Sequence, residues 1–324
     1  VKARRSLPCW TLAAALCLAA GSAGAQQDLG HKVLGTLGLQ AGSVAEPGVY
    51  VADRVLFFSA GHVVDREGNR LPIALDLDAF ANGIGVGGAA KIAPLSTYVS
   101  AGFGIPVAHV TINSDRPEAS IDRFGLGDLF VQPLKLGWRL PRLDLVTGYA
   151  FYAPTGRFSK GGTGGVGRGY WTHEVSAGGT FFFNRARTWH LSALGSYDFN
   201  QRMERIDVTR GDTFQIQGGL GTSLFRFLEA GVAFYAEWQV TDDRGADLPA
   251  ALRGLRERTF GLGPEIGALV APLRSKLFVR YEHDLVVRSR AVGQVFVAGL
   301  TVAIWKPVSE PPPRSAWRDG PPDR

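Results

Sequence analysis

From Leu228 to Val240 every second residue is apolar: Leu228, Ala230, Val232, Phe234, Ala236, Trp238 and Val240. Between them stand Glu229, Gly231, Ala233, Tyr235, Glu237 and Gln239. Successive side chains of a β-strand leave from opposite faces, so this stretch predicts a strand with one greasy and one polar side. The pattern recurs. Phe214, Ile216, Leu220 and Leu224 alternate with Thr213, Gln215, Gln217 and Ser223. Trp189, Leu191, Ala193, Tyr197 and Phe199 oppose His190, Ser192, Ser196 and Asp198. Phe260, Leu262, Ile266 and Val270 oppose Thr259 and Glu265. Leu277, Val279, Tyr281 and Leu285 oppose Arg280, Glu282 and Asp284, with His283 on the apolar side.

The links between these strands alternate as well. Short ones at 139–142, 184–187, 225–226 and 271–275 take turns with longer polar ones at 154–169, 200–211, 241–257 and 286–292. Short turns at one end and long loops at the other are the pattern of an all-β, transmembrane up-and-down antiparallel β-barrel. Strands are expected at about 48–60, 71–92, 96–112, 124–138, 142–153, 170–183, 188–199, 212–224, 226–240, 258–270, 275–286 and 293–305, which makes about 12. Fourteen is the alternative, with residues 31–40 as a further strand or 71–92 as a hairpin turning at Ala81-Asn82-Gly83.

The ends read differently. Lys2 to Ser6 is basic, an apolar stretch follows, and Ala23-Gly24-Ala25 has the small-x-small form of a cleavage site, so residues 1–25 are expected to be a secretory signal peptide. Both cysteines, Cys9 and Cys17, fall inside it, which leaves no thiol for a disulfide or a metal. Three of the six net positive charges come from Lys2, Arg4 and Arg5, and the balance that remains is too even for a nucleic-acid partner. Residues 26–47 are weakly patterned and form an N-terminal segment, a candidate plug or extra strand. The barrel is expected over 48–305. Residues 306–324, rich in Pro and charge, are expected to be a disordered tail.

Aromatic residues choose the lipid face. Trp138, Phe183, Trp189, Phe227 and Trp305 fall at the short-turn ends of strands; Tyr152, Trp171, Phe199, Phe214, Trp238 and Phe260 fall at the long-loop ends. Two such rows match the girdles of an outer-membrane barrel, one at each membrane–water interface. The competing arrangement, a secreted sandwich with apolar faces packed together, accounts for the alternation but for neither the aromatic rows nor the one-sided loops. With lipid outside, the polar face looks into a lumen. Its candidate lining is Asp76, Asp78, Asp128, Gln132, Glu174, His190, Asp198, Gln215, Gln217, Glu229, Glu237, Gln239, Glu265, Arg280, Glu282 and Asp284. Carboxylates predominate, and rings of one sign bias which solutes pass. Alternatively, these groups pair with lumen arginines or water and merely fill a narrow barrel.

Other motifs carry less. The glycine-rich loop 159–169 lacks a following Gly-Lys-Ser/Thr and no helix opens after it, so a surface loop is expected rather than a phosphate cradle. His62, His109, His173 and the stretch Tyr281 to Leu285 offer no metal spacing, and no cofactor is expected. His190 and Ser192 share a strand face, a spacing that in principle serves a lipid-cleaving nucleophile. Both fall on the inferred lumen side, away from an acyl chain arriving through lipid, and no enzymatic role is expected.

Four stretches, 124–138, 148–158, 167–183 and 276–302, resemble the family labelled "putative MetA-pathway of phenol degradation", also described as SphA-like or transporter-like outer-membrane proteins. The resemblance runs from Pro47 to Trp305 in diffuse strand-and-turn patterns; the Pro-rich tail is a departure from it. It implies an outer-membrane barrel connected with uptake of aromatic or other hydrophobic compounds. The expected function is a monomeric, passive channel in outer-membrane lipid for a small hydrophobic solute. A plugged structural or surface-binding barrel is the alternative, and a lipid-modifying enzyme the third reading.

Overall fold

The computed structural model describes residues 30–115, 118–159, 165–225 and 227–307. The expected signal peptide and the tail beyond Pro307 lie outside the described residues. Strands run β1 (Gly48–Val63), β2 (Leu75–Ile92), β3 (Thr97–Asp115), β4 (Glu118–Leu126), β5 (Leu129–Arg139), β6 (Leu143–Ala153), β7 (Thr172–Phe182), β8 (Trp189–Asn200), β9 (Thr213–Leu224), β10 (Leu228–Gln239), β11 (Arg258–Val270), β12 (Ser275–Arg288) and β13 (Ala291–Trp305). Each pairs antiparallel with its neighbours. The β1–β13 ladder and the β2–β3 ladder close the ring, giving a barrel of 12 strands with one extra segment. Closure leaves no open edge around the wall in hydrocarbon, where an unpaired backbone group has no water to turn to.

The extra segment arises at Gly127-Asp128. The expected strand 124–138 is broken there, and both pieces pair with β3: β4 with its upper half and β5 with its lower half. β4 continues up to Glu118, beyond the expected strand start, so β2, β3 and β4 rise together as a flap above the ring. Residues 31–40 form no strand, and β2 runs through Ala81-Asn82-Gly83 without turning.

The connections follow local chemistry. Two of the tight turns repeat Ala-Pro-Leu: Ala93–Leu95 and Ala271–Leu273 each form one 3-10 turn. Proline near the start of such a turn sets φ and gives up no needed donor. Each then closes on a left-handed residue, Ser96 (φ 50) and Arg274 (φ 49). At the opposite rim, 154–171, 201–212 and 240–257 are long. The expected long link at 286–292 is instead a two-residue turn, Ser289 and Arg290, because β12 and β13 both extend past the places where their alternation fades. The long loops are not loose polymer. Tyr170, Met203, Ile206, Val208, Leu248, Leu252 and Leu255 bury one another in a small core above the barrel, with Phe158 against it. Bridges between Arg202 and Thr209 and between Thr209 and Arg244 tie two of these loops together.

The outer wall is apolar, with Val232, Ile266, Val279, Leu191 and Phe296 all exposed. The sandwich alternative is thereby excluded: these side chains face outward around one closed sheet. Trp189, Phe227, Phe183 and Trp305 are exposed at the short-turn rim, and Trp171, Phe199 and Trp238 at the other. Phe214 stacks beside Trp238 at 5.9 Å, and Trp138 and Phe260 share the outward parity of Leu145 and Leu262 across their ladders and strands. Tyr152 departs from expectation. It points inward, on the parity of buried Val146 and Ala150, while Tyr149 and Phe151 share the outward parity.

Val232 stands near the middle of β10 on the outer face. Val232→Arg should cost about 2–4 kcal/mol, the depth-dependent penalty for a guanidinium at the bilayer midplane. Denaturant unfolding from phospholipid vesicles reads this directly; a loss well under 1 kcal/mol would place β10 out of hydrocarbon.

Candidate functional site

The inward face is polar by sequence, and polar groups taken from water need partners. A large share of those partners comes from residues 30–47, which run down inside the barrel from the loop rim to the short-turn rim. Near the loops, His31 Nε2 lies 2.9 Å from Asp128 Oδ2 and its Nδ1 2.7 Å from Thr172 Oγ1. Its ring stacks on Tyr152 at 5.1 Å and meets Tyr170 edge-on at 4.7 Å. Lys32 Nζ donates to Ser196 Oγ at 2.8 Å and pairs with Glu174 at 3.0 Å. Further down, backbone N–H groups take over as donors: Leu37 to Gln217, Leu39 to Glu265, Gly42 to Ser192 and Val44 to Asp144, all within 2.8–3.2 Å. Gln40 donates to Glu229. At the bottom Arg139 donates to Val44 O and pairs with Glu46.

Glycine makes the room. Gly219 and Gly231 face inward on β9 and β10, and a Cβ at either would come within 2.7 and 2.8 Å of Leu39, which is fully buried between them. Gly42 approaches the wall so closely that a Cβ there would lie 2.2 Å from Gly179 O.

Most of the predicted lining points inward. Glu174, His190, Asp198, Gln215, Gln217, Glu229, Glu237, Gln239, Glu265, Arg280, Glu282 and Asp284 are buried on that face. Asp128 is buried at the β4–β5 break, where Gly156 N and Arg168 N also donate to it. Gln132 lines a cavity of about 170 Å³ beside Val44, Tyr98 and Lys135. Asp76 and Asp78 do not belong. They share the outward parity of Phe80, Ile84 and Val86 and lie on the flap toward Asn113 and Thr111, above the apolar band. The alternation that placed them inward holds for one ladder but does not say which face of a protruding flap is which.

Several lumen groups pair with one another across the wall. Arg280 bridges Glu265 at 2.8 Å and reaches Gly35 O, Lys276 reaches Glu229 at 2.6 Å, and Arg290 reaches Glu237 at 2.9 Å. Asp284 accepts from Tyr235, Thr259 and Gly293 N. Ser192 is engaged by Gly42 N and Thr180, and His190 Nε2 lies 3.5 Å from Glu229. Ser192 is thus spent on holding the segment, and no hydrogen bond joins it to His190 among the described residues. His283 is exposed on the outer face, and no group of three or more metal-ligating side chains is present among the described residues.

Sequence reasoning missed His31, Lys32, Asp144 and Ser196 as parts of this site. The inward glycines 219, 221 and 231 were the available signal: small residues on a polar lumen face leave space for something to lie there.

A closed wall, apolar outside and hydrogen-bonded within around its own N-terminal segment, defines the class: a transmembrane β-barrel of the outer-membrane type. Residues 61–298 match the profile of the family described as "Putative MetA-pathway of phenol degradation", and the chain belongs to that family. No curated protein sequence matches it. Among solved structures it is similar to the COG4313 outer membrane channel from Pseudomonas putida F1, with a TM-score of 0.72 at 12% identity, covering 81% of this chain and 97% of that one. A FadL homologue from Pseudomonas aeruginosa overlaps with a TM-score of 0.42 at 11% identity, over 79% of this chain and 90% of that one. The CymD monoaromatic hydrocarbon channel gives 0.39 at 10% identity, over 80% and 89%.

Burial lowers the pKa of His31 from its ordinary 6.5, opposed by its hydrogen bond to Asp128 and its attraction to that carboxylate, while the Arg210 charge adds to the lowering. The seated imidazole, among Asp128, Arg210, Thr172, Tyr152 and Tyr170, therefore binds a proton less readily than a released one. Acid then favours release. As pH falls through 6.5, protection of the Leu37, Leu39 and Gly42 amides against hydrogen exchange, corrected for intrinsic rate, should drop, and His31→Gln should flatten that dependence. Lys32→Ala leaves buried Glu174 without its cation and should lower the same protection at least tenfold at neutral pH, since breaking a buried pair costs about 3–5 kcal/mol. Unchanged protection in Lys32→Ala would mean the segment is held by its backbone contacts alone.

Proposed function

We propose that this protein is a passive outer-membrane channel for small hydrophobic or aromatic solutes, with residues 30–47 as a displaceable plug. The observation that carries the reading is how the segment is held. Its attachment combines separate hydrogen bonds and ion pairs at each level of the lumen, from Asp128 and Glu174 down to Asp144, with small apolar contacts of Leu34, Ala41 and Val44, and it adds no strand to the wall. The polar contacts exchange for water as the segment leaves, while the 12-stranded ring keeps its own ladders. The inward residues Asp128, Gln132, Glu174, His190, Asp198, Gln215, Gln217, Glu229, Glu237, Gln239, Glu265, Arg280, Glu282 and Asp284 would then line the conduit. The aromatic rows at the two rims would anchor the barrel at the interfaces of outer-membrane lipid. Family membership and the barrel shared with the Pseudomonas putida channel support a transport role and give none for an enzyme.

The plugged structural barrel is the second reading, favoured by one observation. The loop core built on Tyr170, Met203, Ile206 and Leu252 covers the same mouth that the segment fills. A barrel stopped at both places suits surface binding as well as transport.

Single-channel recording separates them. Deleting residues 30–44 should raise conductance from a nearly sealed state to that of an open pore, and liposome swelling with small aromatic solutes should accelerate. A variant that inserts, keeps its β-sheet signal and remains sealed would remove the channel reading and leave the structural one.

A further inference from the structure

His31 and Lys32 present an aromatic ring and an ammonium group on consecutive residues, and the barrel has a separate receptor for each. The ring lies between Tyr152, stacked at an interplanar angle of 18°, and Tyr170, edge-on at 69°. The ammonium lies on Ser196 and Glu174. Glu174 faces Asp198 directly across the β7–β8 ladder, both pointing inward. Each is under 5% exposed, and each keeps one buried oxygen with no hydrogen-bond partner, Glu174 Oε2 and Asp198 Oδ1. Three other lumen carboxylates differ. Glu237 has Arg290, Glu265 has Arg280 and Glu229 has Lys276, all carried by the barrel strands and their turns. The Glu174–Asp198 pair draws its one ion-pair cation among the described residues from the N-terminal segment.

When that segment withdraws, two carboxylates remain side by side in a poorly solvated wall beneath an aromatic slot. Like charges so placed favour uptake of a proton or a cation, and the wall's Lys135, within electrostatic reach of Glu174, makes no ion pair with it among the described residues. The slot above favours a flat ring carrying that cation, through stacking on Tyr152 and an edge contact with Tyr170. A primary ammonium supplies three donors, enough for Ser196 and the two orphaned oxygens.

We propose that the upper lumen is a binding site for small aralkyl ammonium compounds, an aromatic ring joined by a short chain to a primary amine, and that His31-Lys32 is its built-in occupant. The proposal rests on the reading of residues 30–47 as displaceable, and it adds charge to the solute class: cationic amines are favoured, aromatic carboxylates excluded.

Competition supplies the test, using the full chain in detergent micelles and 2-phenylethylamine as the probe. Calorimetric titration should show saturable binding, with a simultaneous loss of hydrogen-exchange protection at Leu37, Leu39 and Gly42. Lys32→Met removes the internal competitor and should tighten phenylethylamine binding by about tenfold, a change of about 1.4 kcal/mol. Adding Glu174→Gln and Asp198→Asn to Lys32→Met should weaken it again by at least as much. Phenylacetate, with the same ring and the opposite charge, should not bind, and ethylamine, lacking the ring, should bind about tenfold more weakly than phenylethylamine.

No tightening in Lys32→Met, or equal binding of phenylethylamine and phenylacetate, would overturn the proposal, and equal binding of ethylamine would overturn the aromatic half of it. These outcomes differ from failure of the channel reading. If deletion of 30–44 leaves the pore sealed while phenylethylamine still displaces the segment, transport falls and the site stands. If deletion opens the pore but phenylethylamine neither binds nor competes, the site falls and transport stands.

Discussion

A backbone amide in hydrocarbon has no water to bond with, and this requirement organises the molecule. Every wall strand finds a partner on each side through the membrane, with β1 returning to β13 and β2 running on to β3. Closing the sheet in this way divides the side chains absolutely: odd and even positions along a strand belong to lipid or to lumen. The outward set needs only to be apolar. For the inward set closure creates a new difficulty, because the carboxylates, amides and arginines along β7 to β12 are packed into a narrow space and lose their water.

The structure meets that difficulty in two ways. Along β10 to β13 the wall neutralises itself, with Arg280 on Glu265, Lys276 on Glu229 and Arg290 on Glu237. The N-terminal segment supplies donors around the lumen, to Glu174, Ser192 and Asp144 on one side and to Glu229 and Glu265 on the other. It uses imidazole and ammonium near the loop rim and bare backbone N–H groups below, where Leu39 and Gly42 pass too close to the wall for larger residues. The segment thus bonds both to carboxylates the wall already pairs, Glu229 and Glu265, and to Glu174, which it pairs itself. What holds the segment is therefore a set of polar groups together with the apolar contacts of Leu34, Ala41 and Val44. The loop core adds apolar burial above the segment.

The strands themselves were plain in the sequence because alternation is a local property. Leu228 to Val240 announces its two faces without reference to any other residue, β8, β9, β11 and β12 follow suit, and the twelve expected strands match the ring of 12. The aromatic rows were legible for the same reason, with the exception of Tyr152. Its neighbour Phe151 satisfies the outward position equally well, so composition at a strand end could not decide between them. The division of 124–138 into β4 and β5 was hidden because Gly127-Asp128 breaks the wall only by virtue of what β3, His31 and the loop at Gly156 do around it.

The sequence by itself determined that this chain builds a one-layered sheet with opposed faces, where its strands lie, and that the greasy face meets lipid, since each of these follows from period-two patterning and the cost of an unpaired backbone in hydrocarbon. It left residues 26–47 open between a plug and an extra strand, and it put Asp76 and Asp78 on the wrong side of the wall. Only the tertiary structure decided those matters. Which carboxylate receives Lys32, which glycines admit Leu39, and which end of β2 rises clear of the membrane are contacts between residues far apart in the chain, and no local pattern encodes a partner that closure alone brings near.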